Sequence, residues 1–352
     1  MLLKIKIYLL FLIVFFSGCA TVEVKQKREP LFYPSAPDEP RIQYLTSFSS
    51  SRDVEGDSGT FAKFILGEAP VQSIAKPYGV TLKNGKIYIC DTAYNALEIL
   101  DLGQKTFEYF DPQQAGQLVA PVNVDISSGG TIYVADARRG QVLLFDESGK
   151  YLSSIGTKGE LQPTDIALWR DRAFICDLKS KTVRVYTQED SKFLYAIPST
   201  DAGDKDKKLF SPTNIDVDSS GNIYVTDTGG FNVKKYTSSG NLLQTFGIQG
   251  DVPGTFARPK GVAVDKAGRL YVVDAAFENI QVFGPNGELL MFFPGQQDAA
   301  RVTLPAGIFI DYNNISYFSK YADESFKIEY LILVASQYGD RKISVFGFGR
   351  RK

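Results

Sequence analysis

The sequence predicts an all-β fold: a six-bladed β-propeller with four antiparallel strands in each blade. A unit of short apolar runs that opens with a proline occurs six times along the chain. Successive units are 42–49 residues apart, a period typical of propeller blades. The second run of most units ends in the pattern Tyr-x-x-Asp. We therefore expect a single propeller domain over residues 41–352.

The first strand of each predicted blade follows its proline. The prolines are Pro77, Pro121, Pro163, Pro212, Pro259 and Pro305. The predicted first strands are Gly79–Leu82, Asn123–Ile126, Asp165–Leu168, Asn214–Val217, Gly261–Val264 and Gly307–Ile310. Turns that contain glycine, such as Asn84-Gly85, follow several of these strands and are typical of tight hairpins.

The second strands carry the most visible polar series of the chain. They end at Asp91, Asp136, Asp177, Asp227 and Asp274, with Ser336 at this place in the sixth unit. An aspartate at a strand end can accept hydrogen bonds from the amides of the following turn. Because the aspartate recurs in five units, we interpret it as a structural residue.

The outer strands complete each unit except the last. The predicted third strands are Ala96–Leu100, Gln141–Phe145, Thr182–Tyr186, Asn232–Tyr236, Asn279–Phe283 and Lys342–Phe346. The predicted fourth strands are Thr106–Phe110, Tyr151–Ile155, Phe193–Ile197, Leu242–Phe246 and Leu289–Phe293. The sixth unit lacks a fourth strand, and Arg41–Phe48 is an unmatched strand before the first unit. We expect this N-terminal strand to close the last blade, which removes a free edge.

Two further segments interrupt the repeats. Asp311–Glu329 divides the sixth unit and is expected to form a protruding loop or an extended hairpin. Phe61–Gly67, before the first blade, is expected to form a short helix.

The N-terminus has the parts of an export signal. Lys4 and Lys6 precede the apolar run Ile7–Phe16, which is too short to span a bilayer. The next residues complete the tetrapeptide Phe16-Ser17-Gly18-Cys19, which resembles a bacterial lipobox. The resemblance implies a signal peptide over residues 1–18, a lipidated Cys19, and sorting to the outer membrane. Residues 19–40, polar and rich in proline, would then form a tether; the alternative is an ordinary signal peptide that is cleaved near Ala20.

The composition excludes several kinds of site. The chain contains no histidine, which excludes Ser-His-Asp and Cys-His nucleophilic sites and zinc or haem bound through histidine. Its formal net charge is −1, so the overall charge does not favour binding to nucleic acid. Cys90 and Cys176 occupy the same place in their repeats, too far apart for a disulfide. We interpret both as small buried apolar residues.

The position two residues after each proline differs between the units in a way that suggests a site. Three neighbouring units have Asn123, Asp165 and Asn214 there, and the other three have glycine. Since first strands line the central channel of a propeller, these side chains are candidates for a divalent ion or a polar ligand at the channel mouth. They could equally cap strands and bind water. Lys260 could pair with Asp165 or hold an anionic ligand.

The pattern over Pro259–Phe283 resembles the NHL repeat. Together with the lipobox, the proline-rich tether and Pro40–Leu45, it is similar to bacterial six-bladed propeller lipoproteins with NHL repeats. The resemblance implies a lipid-anchored, non-catalytic scaffold at the cell envelope, with palmitate on Cys19, a monomeric propeller and a protein partner. It also leaves open a metal-assisted hydrolase or lactonase, because the channel mouth is where gluconolactonase-like propellers bind calcium. Peptide-amidating lyases hold zinc through histidines, which this chain lacks.

Overall fold

The computed structural model describes residues 29–56, 70–198 and 208–352. Four predicted features therefore lie wholly or partly outside the described residues: the signal peptide over residues 1–18, the lipidated Cys19, the first part of the tether, and the short helix at Phe61–Gly67. In the described residues the chain forms six antiparallel sheets arranged as the blades of a propeller, which confirms the predicted fold.

The first three blades each contain four strands in sequence order. Blade 1 consists of β3 (Pro77–Lys83), β4 (Lys86–Asp91), β5 (Ala96–Asp101) and β6 (Thr106–Phe110). Blade 2 consists of β7 (Pro121–Ile126), β8 (Ile132–Asp136), β9 (Gln141–Phe145) and β10 (Tyr151–Ile155). Blade 3 consists of β11 (Pro163–Trp169), β12 (Arg172–Asp177), β13 (Thr182–Thr187) and β14 (Phe193–Ile197).

Blades 4 and 5 repeat this order, and blade 6 is built from both ends of the described chain. Blade 4 consists of β15 (Pro212–Val217), β16 (Ile223–Asp227), β17 (Asn232–Tyr236) and β18 (Leu242–Phe246). Blade 5 consists of β19 (Pro259–Val264), β20 (Leu270–Asp274), β21 (Asn279–Phe283) and β22 (Leu289–Phe293). Blade 6 consists of β23 (Thr303–Asp311), β24 (Phe326–Tyr338), β25 (Ile343–Arg351), β2 (Ile42–Phe48) and β1 (Phe32–Tyr33).

The ring closes as predicted, through strand β2. It pairs antiparallel with β25, with Ile42 opposite Phe348 and Phe48 opposite Ile343. Ile42 and Ile343 are fully buried, so the closing strand contributes to the core as well as to the hydrogen-bond ladder. The outer strand of the last blade therefore comes from the N-terminal side of the chain.

The core lies between the blades. The second strands of blades 2, 4 and 5 are buried at every residue, because each faces a neighbouring blade on both sides. The apolar clusters accordingly span two blades; one joins Tyr224 and Val233 of blade 4 to Val262 and Phe283 of blade 5. Each Å² of apolar surface that the blades bury against one another stabilises the fold by about 25 cal/mol.

The recurring aspartates have the structural role that their repetition predicts. Asp91 accepts hydrogen bonds from the amides of Ala75 and Lys76 before its blade and from those of Ala93 and Tyr94 after its strand, at 2.6–3.2 Å. Asp274 does the same in blade 5. Each carboxylate therefore fastens the loop that enters a blade to the turn between its second and third strands.

The C-terminal part of the predicted tether is folded against the propeller, so the tether is shorter than expected. β1, within the segment predicted as a flexible coil, pairs with β2, and Tyr33 is buried against blade 6. The ring of Tyr33 lies 5.9 Å from that of Phe293. The apolar residues Leu31, Phe32 and Tyr33 explain this difference, because they can bury surface that the surrounding polar residues cannot. The propeller therefore begins about ten residues earlier than residue 41.

The interruption of the sixth unit folds back instead of protruding, and its last residues, from Phe326, extend the hairpin of β24 and β25, which was the alternative prediction. After β23 the chain forms helix α2 (Ile315–Phe318) and a 3₁₀ turn (Ser319–Tyr321), and β24 then begins at Phe326. Phe318 is buried in the cluster between blades 6 and 1. Asn314 accepts a hydrogen bond from the amide of Gly85 in blade 1 at 2.8 Å. The insertion therefore acts as a clasp between the last blade and the first.

Few other elements are present in the described ranges. Helix α1 (Arg52–Glu55) follows β2, and a 3₁₀ turn (Gln114–Gly116) precedes blade 2. None of the helices there is long and apolar enough to cross a membrane. Cys90 and Cys176 are both buried and free, as predicted.

Candidate functional site

The first strands of the blades surround a central channel. It contains a cavity of about 240 Å³, whose walls include the predicted site residues Asn123, Asp165 and Asn214. Two further carboxylates, Asp125 and Asp216, also line it. The three polar side chains that the sequence predicted to line the channel therefore do line it.

The position two residues after each proline faces the next blade as well as the channel. A Cβ atom on Gly79 would lie 2.6 Å from the Cα of Asn123. A Cβ on Gly261 would lie 2.5 Å from the carbonyl oxygen of Ala306. In these blades the close approach of neighbouring first strands therefore requires glycine. The missing side chain does not indicate space for a ligand.

Asp165 and Asn214 are in contact across blades 3 and 4. Oδ2 of Asp165 accepts hydrogen bonds from Nδ2 of Asn214 at 3.2 Å and from the amide of Ile215 at 2.9 Å. Its Oδ1 accepts from the amide of Ile166 at 2.7 Å. Asn123 instead accepts from the amide of Val124, its own neighbour, at 3.0 Å. The structure thus brings two of the three predicted residues together through a direct hydrogen bond.

One polar atom of this wall has no partner. Oδ1 of Asn214 is buried and accepts no hydrogen bond from any residue in the described ranges. Asn214 itself is 1% exposed and lines the cavity. A buried acceptor without a donor is unfavourable by about 1–3 kcal/mol, so this atom is available to a donor inside the channel.

Sequence reasoning missed Asp125 and Asp216. Oδ1 of Asp125 accepts from the amide of Ile126, and its Oδ2 accepts from that of Leu168 in the next blade, both at 2.8 Å. Asp216 makes the same pair of bonds to Val217 at 2.8 Å and Val264 at 2.7 Å. The signal that could have found them is a carboxylate between two apolar residues of a first strand, four residues after the proline of blades 2 and 4.

Burial raises the pKa of all three channel carboxyls. It raises the pKa of Asp125 to about 6 and that of Asp216 to about 7, although hydrogen bonds from two backbone amides oppose the shift in each case. The same desolvation raises the pKa of Asp165 well above its usual range, and the charge of Asp125 adds to it. The channel wall therefore carries less negative charge near pH 7 than three ordinary carboxyls would.

The predicted divalent-ion site does not fit these contacts well. A hard cation requires six to eight oxygen ligands. The oxygens of Asp165 already accept three N–H bonds, and the amide of Asn214 presents its nitrogen to that carboxylate. Within residues 29–56, 70–198 and 208–352, no three side chains of Asp, Glu, Cys or His are grouped so that they could hold a metal ion. A calcium ion at Asn123, Asp165 and Asn214 stays a prediction without structural support.

Lys260 does not pair with Asp165. Its Nζ lies 3.5 Å from the hydroxyl of Tyr78 and 5.6 Å from the centroid of that ring. Burial, with the nearby charge of Arg258 as a second cause, lowers the pKa of Lys260. Lys260 does not reach Asp165 because Asp165 lies in the channel wall, bonded to backbone amides, whereas the side chain of Lys260 contacts Tyr78 of blade 1 and does not line the cavity.

The two faces of the ring differ. We call the face on which first strands begin the loop face, and the opposite one the turn face. Among the described residues, the loop face exposes seven large apolar side chains: Val71, Tyr94, Val119, Phe210, Ile248, Val252 and Tyr338. The turn face consists mainly of tight turns, several with glycine at positive φ, such as Gly221 and Gly268, and it also exposes Tyr317 beside Gly85. In the described ranges, the loop face therefore combines longer loops with more exposed apolar side chains than the turn face.

A family comparison agrees with this architecture. The family model of the NHL repeat matches residues 256–284, which contain the last loop before blade 5 and its first three strands. The molecule is a six-bladed propeller that contains an NHL repeat. The matched stretch includes Asp274 and Lys260, so both a structural residue and a channel-mouth residue of this propeller lie within the repeat. No curated protein matches the chain in sequence.

Solved structures resemble this propeller in fold at low sequence identity. A structural genomics protein of unknown function from Bacteroides thetaiotaomicron is 15% identical, with a TM-score of 0.60 over 86% of this chain and 75% of that chain. Virginiamycin B lyase from Staphylococcus aureus is 15% identical, with a TM-score of 0.53 over 78% of this chain and 96% of that chain. A streptogramin B lyase is 16% identical, with a TM-score of 0.54 over 78% of this chain and 83% of that chain.

Proposed function

We propose that this NHL-repeat propeller is an exported, lipid-anchored scaffold of the cell envelope that holds a protein partner on its loop face. The anchor would be Cys19, in keeping with the basic and apolar residues before it. The NHL repeat and the fold support a binding platform. The single observation that carries the proposal is that loops of the loop face, in the described residues, hold the two apolar side chains Phe210 and Ile248 more than half exposed.

Two neighbouring blades contribute the most exposed of these side chains. Phe210, before blade 4, is 56% exposed, and Ile248, before blade 5, is 69% exposed. Both lie on loops that a rigid ring holds in place, which is where binding residues are found in many folds. Large apolar side chains exposed on such loops are candidates for contact with a partner. We therefore place the partner over the loops of blades 4 and 5.

The likeness to the lyases is one of fold and carries no chemistry to this chain. One solved structure is of a catalytically inactive virginiamycin B lyase in which a histidine is replaced by alanine. The present chain contains no histidine, so that position has no histidine counterpart here. The proposal accordingly assigns no catalytic residue.

Site-specific photocrosslinking tests the proposal. A photoreactive phenylalanine at Ile248 should yield a discrete protein adduct in intact cells, and the same group at Leu243, on the outer strand of blade 4, should not. The double substitution Phe210→Ser with Ile248→Ser should lower recovery of that partner by about tenfold or more, equivalent to about 1.4 kcal/mol. The matched substitution Leu243→Ser should leave recovery unchanged; Leu243 is also about half exposed, at 52%. Equal adducts from both positions would contradict the assignment of the loop face.

A further inference from the structure

Three carboxyl side chains lie on consecutive first strands of the central channel. Asp125 of β7, Asp165 of β11 and Asp216 of β15 all line the cavity of about 240 Å³. Hydrogen bonds to the next blade connect them in a series: Asp125 accepts from the amide of Leu168 in β11, and Asp165 accepts from that of Ile215 in β15. The carboxyls therefore lie on one side of the channel, the side formed by blades 2, 3 and 4.

Two of these carboxyls can accept further hydrogen bonds. A carboxylate offers about four lone-pair positions, and Asp125 and Asp216 each accept two bonds from backbone amides. Both residues are partly exposed and border the open space of the channel. Among the residues that the structure describes, neither forms an ion pair, and Lys83 lowers the pKa of Asp125 less than the backbone amides do. Both are therefore open to a donor in the channel.

Asn214 is the independent sign of a ligand. Its side chain is 1% exposed and lines the same cavity. Nδ2 of Asn214 donates to Asp165, whereas its Oδ1 has no donor within the described ranges. Asp216 follows two residues later in the same strand. Acceptors therefore predominate at this part of the wall, and a molecule that carries donors would satisfy them.

The other side of the cavity is mainly apolar. Blade 6 lies opposite blade 3 in the ring and contributes Ile308, Phe309 and Ile310 to the lining, and blade 5 adds glycine, alanine and valine residues. The hydroxyl of Tyr312 is the polar exception, and it already accepts from the amide of Lys266. A ligand that fits both sides has its donors at one end and a hydrocarbon body at the other. The cavity volume limits it to a small molecule.

We infer that the central channel binds a small primary amine with a short hydrocarbon body, held as its ammonium ion. The ammonium donates to Oδ1 of Asn214 and to the carboxyl of Asp216, and such charge-assisted bonds are stronger than neutral ones. Asp125 and Asp165 add negative charge without contacting the ion, since the described carboxyls are not grouped closely enough to share one metal ion. The site does not include Phe210 or Ile248, so it can fail without the proposed partner surface failing.

The charge state of the wall favours a cation over a neutral ligand. Burial raises the pKa of Asp216 to about 7, and the charges of Asp125 and Asp218 raise it further. The neighbouring phenols of Tyr224 and Tyr312 have raised pKa values too, so they stay neutral. A bound ammonium offsets this effect, because the opposite charge stabilises the carboxylate. Amine binding should therefore tighten as the pH rises through about 7 and release protons below it.

Titration calorimetry with n-butylamine tests the inference. At about pH 6.5 the amine is fully charged, and it should bind the purified protein and release protons, which a comparison of two buffers with different ionisation enthalpies counts. n-Butanol, which lacks the charge, and butyrate, which has the opposite charge, should bind about tenfold more weakly or worse. Ammonium chloride, which lacks the hydrocarbon, should also bind more weakly. The inference is overturned if butanol or butyrate binds as well as butylamine. Equal binding by ammonium chloride would overturn the choice of an organic amine.

Substitutions identify the residues that hold the amine. Asp216→Asn should weaken butylamine binding about tenfold or more and reduce the proton release, and Asn214→Leu should weaken binding through loss of the free acceptor. Asp146→Asn, in an exposed turn, should change neither quantity. Circular dichroism and thermal melts separate lost binding from lost folding, and the ligand series with the unsubstituted protein does not depend on any variant. An equal loss in Asp146→Asn, or displacement of butylamine by equimolar calcium, would overturn the site.

Discussion

At the residue scale, Asp216 joins blades 4 and 5 through the backbone amides of Val217 and Val264. Its pKa is raised by burial to about 7, above the value of an unfolded chain, so the folded protein binds more protons than the unfolded chain between about pH 4 and 7. Stability from this group is therefore present at low pH and is lost as the pH rises through about 7. Asp125, whose pKa is raised to about 6, acts in the same direction.

We expect Asp216→Asn to flatten this dependence. In the unsubstituted protein the melting temperature should fall between pH 5 and pH 8, and in the variant the fall should be smaller. One pKa unit corresponds to about 1.4 kcal/mol, so the difference is on the order of a few kcal/mol. Thermal melts at several pH values measure it. The control is Asp146→Asn in an exposed turn, where hydrogen bonds from Ser148 lower the pKa; an equal flattening there would refute the role of Asp216.

Some residue roles could be predicted from the sequence and others could not. The structural role of Asp91 and its counterparts was predictable, because an aspartate that recurs at the same place in five blades has the same backbone around it each time. That Asp165 and Asn214 line the channel was predictable from their equal places in adjacent blades; their direct hydrogen bond was not, since Asn123 has the same place and makes none to Asp165. The partner of Lys260 did not, because the choice between Asp165 and Tyr78 depends on where side chains turn at the mouth.

At the element scale, the first strands of neighbouring blades approach so closely that only glycine fits at some positions. Gly261→Ala should destabilise the protein by about 1–3 kcal/mol, because the new Cβ would lie 2.5 Å from the carbonyl oxygen of Ala306 and the backbone there cannot move aside. Urea denaturation measures the change. Gly129→Ala is the matched control, since its Cβ would lie 3.9 Å from the nearest atom, Oγ of Ser127. If both variants lose equal stability, packing between the strands is not the cause.

The order of the strands could be predicted, whereas several short elements, β1 and α2 among them, could not. Apolar runs, glycine turns and the proline period predict strands, because a blade repeats the same local rules. β1 was missed since two apolar residues among prolines carry no periodic signal. The clasp formed by α2 was missed for a different reason: Phe318 and Asn314 find their partners in blade 1, at the other end of the sequence.

At the scale of the whole molecule, we expect the propeller to be tethered to a membrane through Cys19. Cys19→Ala should move the protein from the membrane fraction to the soluble fraction of the envelope and abolish labelling by radioactive palmitate in a bacterial host. Cys90→Ala is the matched control, because blade 2 already has Ala135 at the equivalent buried position. Membrane association that persists in Cys19→Ala, or that is lost in Cys90→Ala, would contradict the anchor.

Closure by β2 also determines how the ring would respond to mechanical load. A pull on the N-terminal segment reaches β1 first, which is held by two residue pairs, and then β2, which is held along its length by β25. The short β1 would yield at low force and lengthen the tether, while the closing ladder resists as a unit. β1 would thus detach first and limit the force that reaches the ring, which would open only under a much larger force.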